Sequence, residues 1–260
     1  MKIDLINGDC LAVLKTIPDN SIDLIITDLP YGTTACKWDT IIPFTEMWVE
    51  IKRIRKDKTA ICLFGSEPFS TFLRISNIKE YKYDWIWDKK RISNPLLAKK
   101  MPLKNYEIIS VFYKKPPIYN PQPTIKSVKN KLSQKGIGKS HSTDTTGKTK
   151  LINTDNSQNE FGYPKMILND IKVMNNLSKD KSGFHPTQKP IELNEYLIKT
   201  YSNEGDTVLD FTMGAGSCGI ACVNQNRNFI GIELNENYFK IAQDRINEIL
   251  KNNEKKDKDE

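Results

Sequence analysis

Apolar residues in this chain fall into short unbroken runs separated by stretches of helical spacing. Residues 21–27 (Ser-Ile-Asp-Leu-Ile-Ile-Thr) and 59–64 (Thr-Ala-Ile-Cys-Leu-Phe) are nearly continuous, as in strands covered on both faces of a parallel sheet. Shorter runs at 3–6, 207–209 and 228–232 read the same way. Leu11, Leu14 and Ile17 share one helical face, and helices are expected over 10–17, 44–54, 66–76, 191–201, 217–226 and 236–250. Residues 81–87 and 107–113 alternate with period two, which predicts an antiparallel pair at an edge of the sheet. Strands alternating with helices in this way make an α/β fold with a mostly parallel sheet.

From residue 114 to about 182 the periodicity dissolves. Pro116-Pro117 and Pro121-Gln122-Pro123 open a tract rich in Lys, Ser, Thr, Gly and Asn, with one weak strand signal at 163–168. So long an irregular stretch inside an enzyme is usually functional. It also holds the charge: of the net +7, the segment 114–183 contributes thirteen lysines against five acids, so the remainder sums to −1. A basic insertion on a near-neutral scaffold points to a polyanion. The chain therefore divides into 1–114, an inserted basic region 115–183, a second scaffold part 184–250 and a charged tail 251–260.

Hydrophobic residues at 38% place the chain among globular proteins. No apolar run approaches the ~18 residues of a membrane span, and the N-terminus enters a strand at once, so a cytoplasmic protein without a membrane partner is expected. The five cysteines form no Cys-x-x-Cys pair, and His141 and His185 are the only imidazoles, so no metal site is expected. Cys218 and Cys222 read as small buried thiols.

Two short motifs carry the chemistry. Asp28-Leu29-Pro30-Tyr31 ends the first buried run, at the strand edge where open α/β sheets bind ligands. It offers a carboxylate, a main-chain carbonyl and an aromatic ring, a set suited to gripping an amino group on a flat base. Asp210-Phe211-Thr212-Met213-Gly214-Ala215-Gly216-Ser217 follows a strand and precedes a helix, and Gly219 completes a Gly-x-Gly-x-x-Gly pattern that a nicotinamide site would share. Glu233, at the end of the next strand, can accept both hydroxyls of a ribose.

In this order, catalytic motif first and glycine turn last, the chain resembles the circularly permuted β class of amino-group DNA methyltransferases, the N4/N6 DNA methylase family. The resemblance covers about 1–114 and 183–250, and Leu29 stands where the family more often has proline. It implies a Rossmann-like, circularly permuted methyltransferase fold, with a seven-stranded mostly parallel sheet and an antiparallel edge hairpin. It further implies transfer of a methyl group from S-adenosyl-L-methionine to the N6 of an adenine flipped out of double-stranded DNA. Asp28, Leu29, Pro30 and Tyr31 take the catalytic positions, with Tyr31 stacking on the base. Asp9 and Cys10, in Asn7-Gly8-Asp9-Cys10, match the element that meets the cofactor adenine, although Asp9 reads equally well as the cap of the following helix. His185, Thr187, Gln188 and Lys189, in His-Pro-Thr-Gln-Lys-Pro, fall at the methionine end. Asp28, Asp210, Phe211, Thr212, Gly214, Gly216, Ser217, Glu233 and Leu234 complete the cofactor set.

The basic region lies where this class carries its target-recognition segment. Lys126, Lys129, Lys131 and Lys135 are its expected phosphate contacts, with Gln122, Asn130 and Gln134 as readers of base edges. A homodimer and a restriction endonuclease partner are both compatible with such an enzyme. Three other readings stay open. A cytosine-N4 methyltransferase often carries Ser in place of Asp28. An RNA or protein-glutamine methyltransferase would spell Asn-Pro-Pro-Tyr and place the cofactor motif first. A DNA-binding protein that kept the fold and lost catalysis needs none of these side chains.

Overall fold

The computed structural model describes residues 1–32, 40–125, 140–143, 149–152, 161–169, 171 and 188–259. In chain order its elements are β1 (Ile3–Asn7), α1 (Cys10–Leu14), β2 (Ile22–Asp28), α2 (Phe44–Ile54), β3 (Arg55–Gly65), α3 (Phe69–Ser76), β4 (Tyr81–Asp88) and β5 (Tyr106–Phe112). Then follow β6 (Thr124–Ile125), β7 (Ser140–Thr143), β8 (Thr149–Ile152), β9 (Phe161–Gly162) and β10 (Ile167–Leu168). Last come α4 (Ile191–Tyr201), β11 (Thr207–Asp210), α5 (Ser217–Asn224), β12 (Asn228–Glu233) and α6 (Glu236–Asp259).

The two longest apolar runs form β2 and β3, which lie side by side in the middle of an eight-stranded sheet ordered β1-β12-β11-β2-β3-β5-β4-β10. The first five of these strands pair in parallel, and β5 runs antiparallel to both β3 and β4. The seven strands expected from the sequence are present, and the weak signal at 163–168 is an eighth, β10. Ile167 and Leu168 pair in parallel with Ile86 and Trp87, so the β4–β5 hairpin sits one place in from the rim. Its signal in the sequence is weak because only two residues pair, and tertiary contact fixes it, the Ile86 N–H donating to the Met166 carbonyl at 2.8 Å.

Side chains alternate across this sheet into two cores. Leu24 and Ile26 point to the face covered by α4, α5 and α6, and Ile25 points to the face covered by α1, α2 and α3. Cys218 and Cys222 are buried in the first core. Trp85 and Trp87 are core residues with their indole N–H groups satisfied, by the Tyr201 hydroxyl at 2.7 Å and the Ile171 carbonyl at 2.9 Å. The last helix runs on to Asp259, beyond the residue 250 expected, because the charged tail is rich in good helix formers and holds neither Gly nor Pro. Among the described residues, no helix is long and apolar enough to cross a membrane.

Residues 1–120 and 166–260 form one compact unit and residues 121–165 another. Asn120 belongs to the first, its side-chain amide donating to the carbonyls of Lys199 and Ser202 at 3.1 and 3.2 Å. The second unit contains two small antiparallel ribbons, β6 with β9 and β7 with β8.

Candidate active site

Four parallel strands deliver a polar residue to the same edge of the sheet: β1 ends at Asn7, β2 at Asp28, β11 at Asp210 and β12 at Glu233. That is the edge at which open α/β sheets bind ligands. A cavity of about 440 Å³ opens there, within the range of small-molecule sites.

One wall is made from main chain. The Gly214 and Gly216 backbones take the left-handed region, at φ +54° and +79°. A Cβ on Gly216 would stand 2.9 Å from the Ala242 Cβ, so both the turn and the packing of α6 require glycine. The Glu233 carboxylate holds this turn: Oε2 accepts from the Gly214 N–H at 2.9 Å and Oε1 from the Asn235 N–H at 2.8 Å. The Glu233 carbonyl accepts from the Gly8 N–H at 3.0 Å and from Asn7 Nδ2 at 2.7 Å, fastening the N-terminal loop to the end of β12. Asp9 follows in that loop and caps α1, accepting from the Ala12 N–H at 3.0 Å, while also lining the cavity. Capping the helix and facing a cofactor are both sterically open to this carboxylate.

The other wall is made from charge. Asp28 Oδ1 accepts from the Tyr31 hydroxyl at 2.7 Å and Oδ2 from Lys189 Nζ at 2.5 Å. Lys189 Nζ lies 3.2 Å from Glu107 Oε2 and 5.3 Å from the centre of the Phe64 ring. Glu107 Oε1 in turn accepts from Lys89 Nζ at 2.9 Å. Burial pushes the Asp28 carboxyl up; the Lys189 ammonium opposes this and Glu107 adds to it. Burial works against the charge on Glu107 too, but Lys189 and Lys89 together hold it below the usual carboxylate range. Burial likewise disfavours the Lys189 ammonium, which is nonetheless raised by its two carboxylates.

Asp210 lies between the walls. Its Oδ1 accepts from Thr27 Oγ1 and from the Thr212 N–H, both at 3.2 Å. Burial pushes its carboxyl up to about 8, against the bond from Thr212, and the nearby Asp28 charge adds to the shift. Thr212 Oγ1 donates to the Asp28 carbonyl at 2.9 Å, which ties the two sequence motifs directly together.

Of the site residues expected from the sequence, Asp9, Cys10, Asp28, Leu29, Pro30 and Tyr31 line this cavity. So do Gln188, Lys189, Asp210, Phe211, Thr212, Gly214, Ser217, Glu233 and Leu234. Gly216 supports the turn from behind the wall. His185, Thr187, Lys126, Lys129, Lys131 and Lys135 lie outside the described residues. Lys189 is the main surprise, since it turns to Asp28 and Glu107. Glu107 was not singled out by sequence reasoning. The signal for it is an acid on the face of β5 that also carries Ile109 and Val111, both core residues. Asn194, 3% exposed and lining the cavity from α4, was missed as well, because a polar residue at a buried helical position leaves no period of its own.

A family model for DNA methylases matches residues 22–244. The chain belongs to the DNA methylase family. Within it, the chain is 30% identical over 269 residues to the Type II methyltransferase M.HpaI of Haemophilus parainfluenzae, covering 93% of this chain and 73% of that protein. It is 30% identical over 258 residues to the DNA adenine methyltransferase YhdJ of Escherichia coli (strain K12), covering 93% and 82%. Among solved structures, the M1.HpyAVI–SAM complex superposes with a TM-score of 0.62 at 22% identity, covering 94% of this chain and 99% of that one. Family and fold therefore agree with the motif order, and the nicotinamide reading of the glycine turn falls away.

Proposed function

We propose that this protein transfers the methyl group of S-adenosylmethionine to the N6 amino group of adenine at a specific site in double-stranded DNA. One observation carries the reading. Asp28, an acceptor for amino hydrogens, opens into the same cavity as the Glu233-braced glycine turn, a cradle for a nucleoside.

The residues present fit the cofactor. The Glu233 oxygens accept from the Gly214 and Asn235 N–H groups and keep acceptor capacity for ribose hydroxyls. Asp9 and the Cys10 N–H would meet the adenine, and Asp210, Ser217 and Gln188 the methionine end. When bound, S-adenosylmethionine supplies an electrophilic methyl group on a sulfonium.

The amino nitrogen of adenine is a poor nucleophile because its lone pair is delocalised into the ring. Asp28 and the Leu29 carbonyl accept its two hydrogens and favour the pyramidal geometry that attack needs, and Tyr31 lies against the base. Holding base and methyl donor in line provides much of the rate gain. Nitrogen becomes acidic as it takes the methyl group, so Asp28 can receive its proton afterwards without acting as a strong base beforehand. Lys189 is a positioning residue: its ammonium fixes Oδ2 and opposes the upward pull of burial on the Asp28 carboxyl.

A base inside a duplex must be flipped out to reach this cavity, at a cost of a few kcal/mol. We assign target recognition to the basic region 115–183, with Lys126, Lys129, Lys131 and Lys135 on phosphates. That region contains no arginine, the commonest bidentate reader of guanine. A restriction endonuclease reading the same sequence and a second copy of this chain are the proposed partners, in the cytoplasm. Sequencing DNA from cells that express the protein, with modified bases called, should find N6-methyladenine at one fixed motif. N4-methylcytosine there would reassign the base, and unmodified DNA would point to the inactive DNA-binding protein.

A further inference from the structure

β4 leaves the sheet at Asp88 on the same edge as Asp28, since Asp28 registers with Phe64 in β3, Phe64 with Ile109 in β5, and Ile109 with Trp85 in β4. The connection to β5, residues 89–105, carries Lys89, Lys90, Arg91, Lys99, Lys100 and Lys104 and no acid. Its root belongs to the site, through Lys89 on Glu107 and Glu107 beside Lys189.

The connection is not a slack loop. The Lys89 N–H donates to the Asn105 carbonyl and the Ser93 N–H to the Lys104 carbonyl, both at 2.8 Å. Asn94 clamps the neck, accepting from the Lys104 N–H at 2.7 Å and donating to the Pro102 carbonyl at 3.3 Å. Beyond the neck the chain turns once as a 3-10 helix, Pro95–Leu97, from which Leu96 projects 97% exposed. Met101 and Ile92, in the same connection, are 51% and 47% exposed. The result is a braced protrusion on the catalytic edge, with Leu96 exposed at its turn, Lys89 and Lys90 paired at its root with Glu107 and Asp88, and Arg91, Lys99 and Lys100 along its length.

A purely electrostatic docking surface would have a polar tip, and a protein-binding knob would not need Arg91, Lys99 and Lys100 with no acid between them. An apolar wedge within a ring of Lys and Arg matches proteins that push Leu, Met or Pro between base steps while gripping the phosphates on either side. We propose that residues 89–105 are the wedge that enters duplex DNA beside the target base, Leu96 filling the space the flipped base vacates and Arg91, Lys99 and Lys100 holding flanking phosphates. This rests on the reading of the protein as a DNA methyltransferase, and it identifies a DNA-binding element outside the basic insertion.

The test uses Leu96→Ser, which removes a fully exposed side chain and leaves the core untouched. Wild type and variant are compared on two duplexes carrying the recognition sequence found by modified-base sequencing. In one the target base is paired; in the other it faces an abasic site and is already loosened. Leu96→Ser should lose about tenfold or more in methyl transfer on the paired duplex and no more than about twofold on the abasic one. With 2-aminopurine as the target base, its emission on binding should rise less than with wild type. Equal losses on both duplexes, or none on either, would overturn the wedge. The triple variant Arg91→Ala, Lys99→Ala, Lys100→Ala should flatten the slope of log affinity against log salt by about 0.9 for each phosphate no longer gripped, and an unchanged slope would remove these cations from the interface. If wild type bound and flipped the base but transferred no methyl, the enzymatic reading would fail while the 2-aminopurine signal still judged the wedge.

Discussion

The two walls of the cavity are built by opposite means. Along β11 and β12 the contacts come from main chain: a glycine turn, the N–H groups that brace Glu233, and the Glu233 carbonyl that gathers the N-terminal loop. Along β2 they come from side-chain charge, with Asp28 and Glu107 sharing Lys189 and Lys89 closing the row. A wall of backbone presents fixed dipoles whose geometry the fold enforces, which suits a ligand that must sit the same way at every turnover. A wall of coupled charges can change its proton content, which suits chemistry in which a nitrogen must lose a proton. The same difference implies different sensitivities: the first wall should fail in binding, the second in rate and in its response to pH.

The strongest separation should come from one change on each wall. Asp28→Ala is expected to cut kcat by about 10³-fold or more, the scale on which removing a group aimed at developing charge acts, while the cofactor dissociation constant measured by calorimetry stays nearly unchanged. Lys189 keeps Glu107 as a partner in that variant, so no orphan charge is left behind. Glu233→Ala should do the reverse, weakening cofactor binding by about 1–3 kcal/mol, the usual penalty for unpaired buried donors, with kcat at saturating cofactor largely retained. Asp28→Ala with near-wild-type turnover would remove the catalytic assignment. Equal loss of binding in both variants would erase the distinction between the walls.

Lys189 tests whether the charged wall tunes a proton. Burial favours neutral Asp28 and the ammonium opposes it, so Lys189→Met should raise the Asp28 carboxyl further. Asp28 acts in its ionised form, so the acidic limb of the rate–pH profile should move to higher pH. Activity near pH 7 should drop roughly 10- to 100-fold, the worth of one charge-assisted hydrogen bond, and recover in part as the pH is raised. Lys189→Arg should restore the limb. A uniform loss with the limb in place would mean that Lys189 serves only as scaffold or cofactor contact.

The sequence made the backbone wall far easier to read than the charged one. Glycines at a strand–helix turn and an acid ending the next strand are local signals, and Gly214, Gly216 and Glu233 occupy the places those signals require. Continuous apolar runs likewise marked β2 and β3, because strands covered on both faces cannot alternate. Glu107 and Lys189 are separated by the whole of the basic insertion, and nothing in either local pattern states that they meet. The motif that holds Lys189 pointed to the methionine end of the cofactor, whereas its ion-pair partners are Asp28 and Glu107 of the protein itself. β10 left only the weak signal at 163–168 for the related reason that two residues carry little period. What is legible is what short-range pattern determines, and the charge cluster is decided by the sheet order.

Asp210, between the walls, offers the smallest effect and the sharpest sign. Its carboxyl is pushed up to about 8 by burial, above the ordinary 3.8. Between those values the unfolded chain has released this proton and the folded protein retains it, so the folded state binds more protons and loses stability as pH rises through the window. Above about pH 8 the loss is complete. Asp210→Asn removes the titration and preserves the bonds, because an amide oxygen can accept from Thr27 Oγ1 and the Thr212 N–H as the carboxylate does. Without cofactor, the variant should therefore melt higher than wild type at pH 8, by roughly 2–6 °C for a stabilisation of about 1–2 kcal/mol in a chain of this size. The difference should shrink steadily toward pH 4 and below, as the unfolded carboxyl regains its proton near 3.8. A difference in Tm that stayed constant from pH 4 to pH 9 would place Asp210 with the charged wall, already ionised in the folded protein. A difference that grew with pH would leave it a neutral acid at the floor of the cavity, as its burial requires.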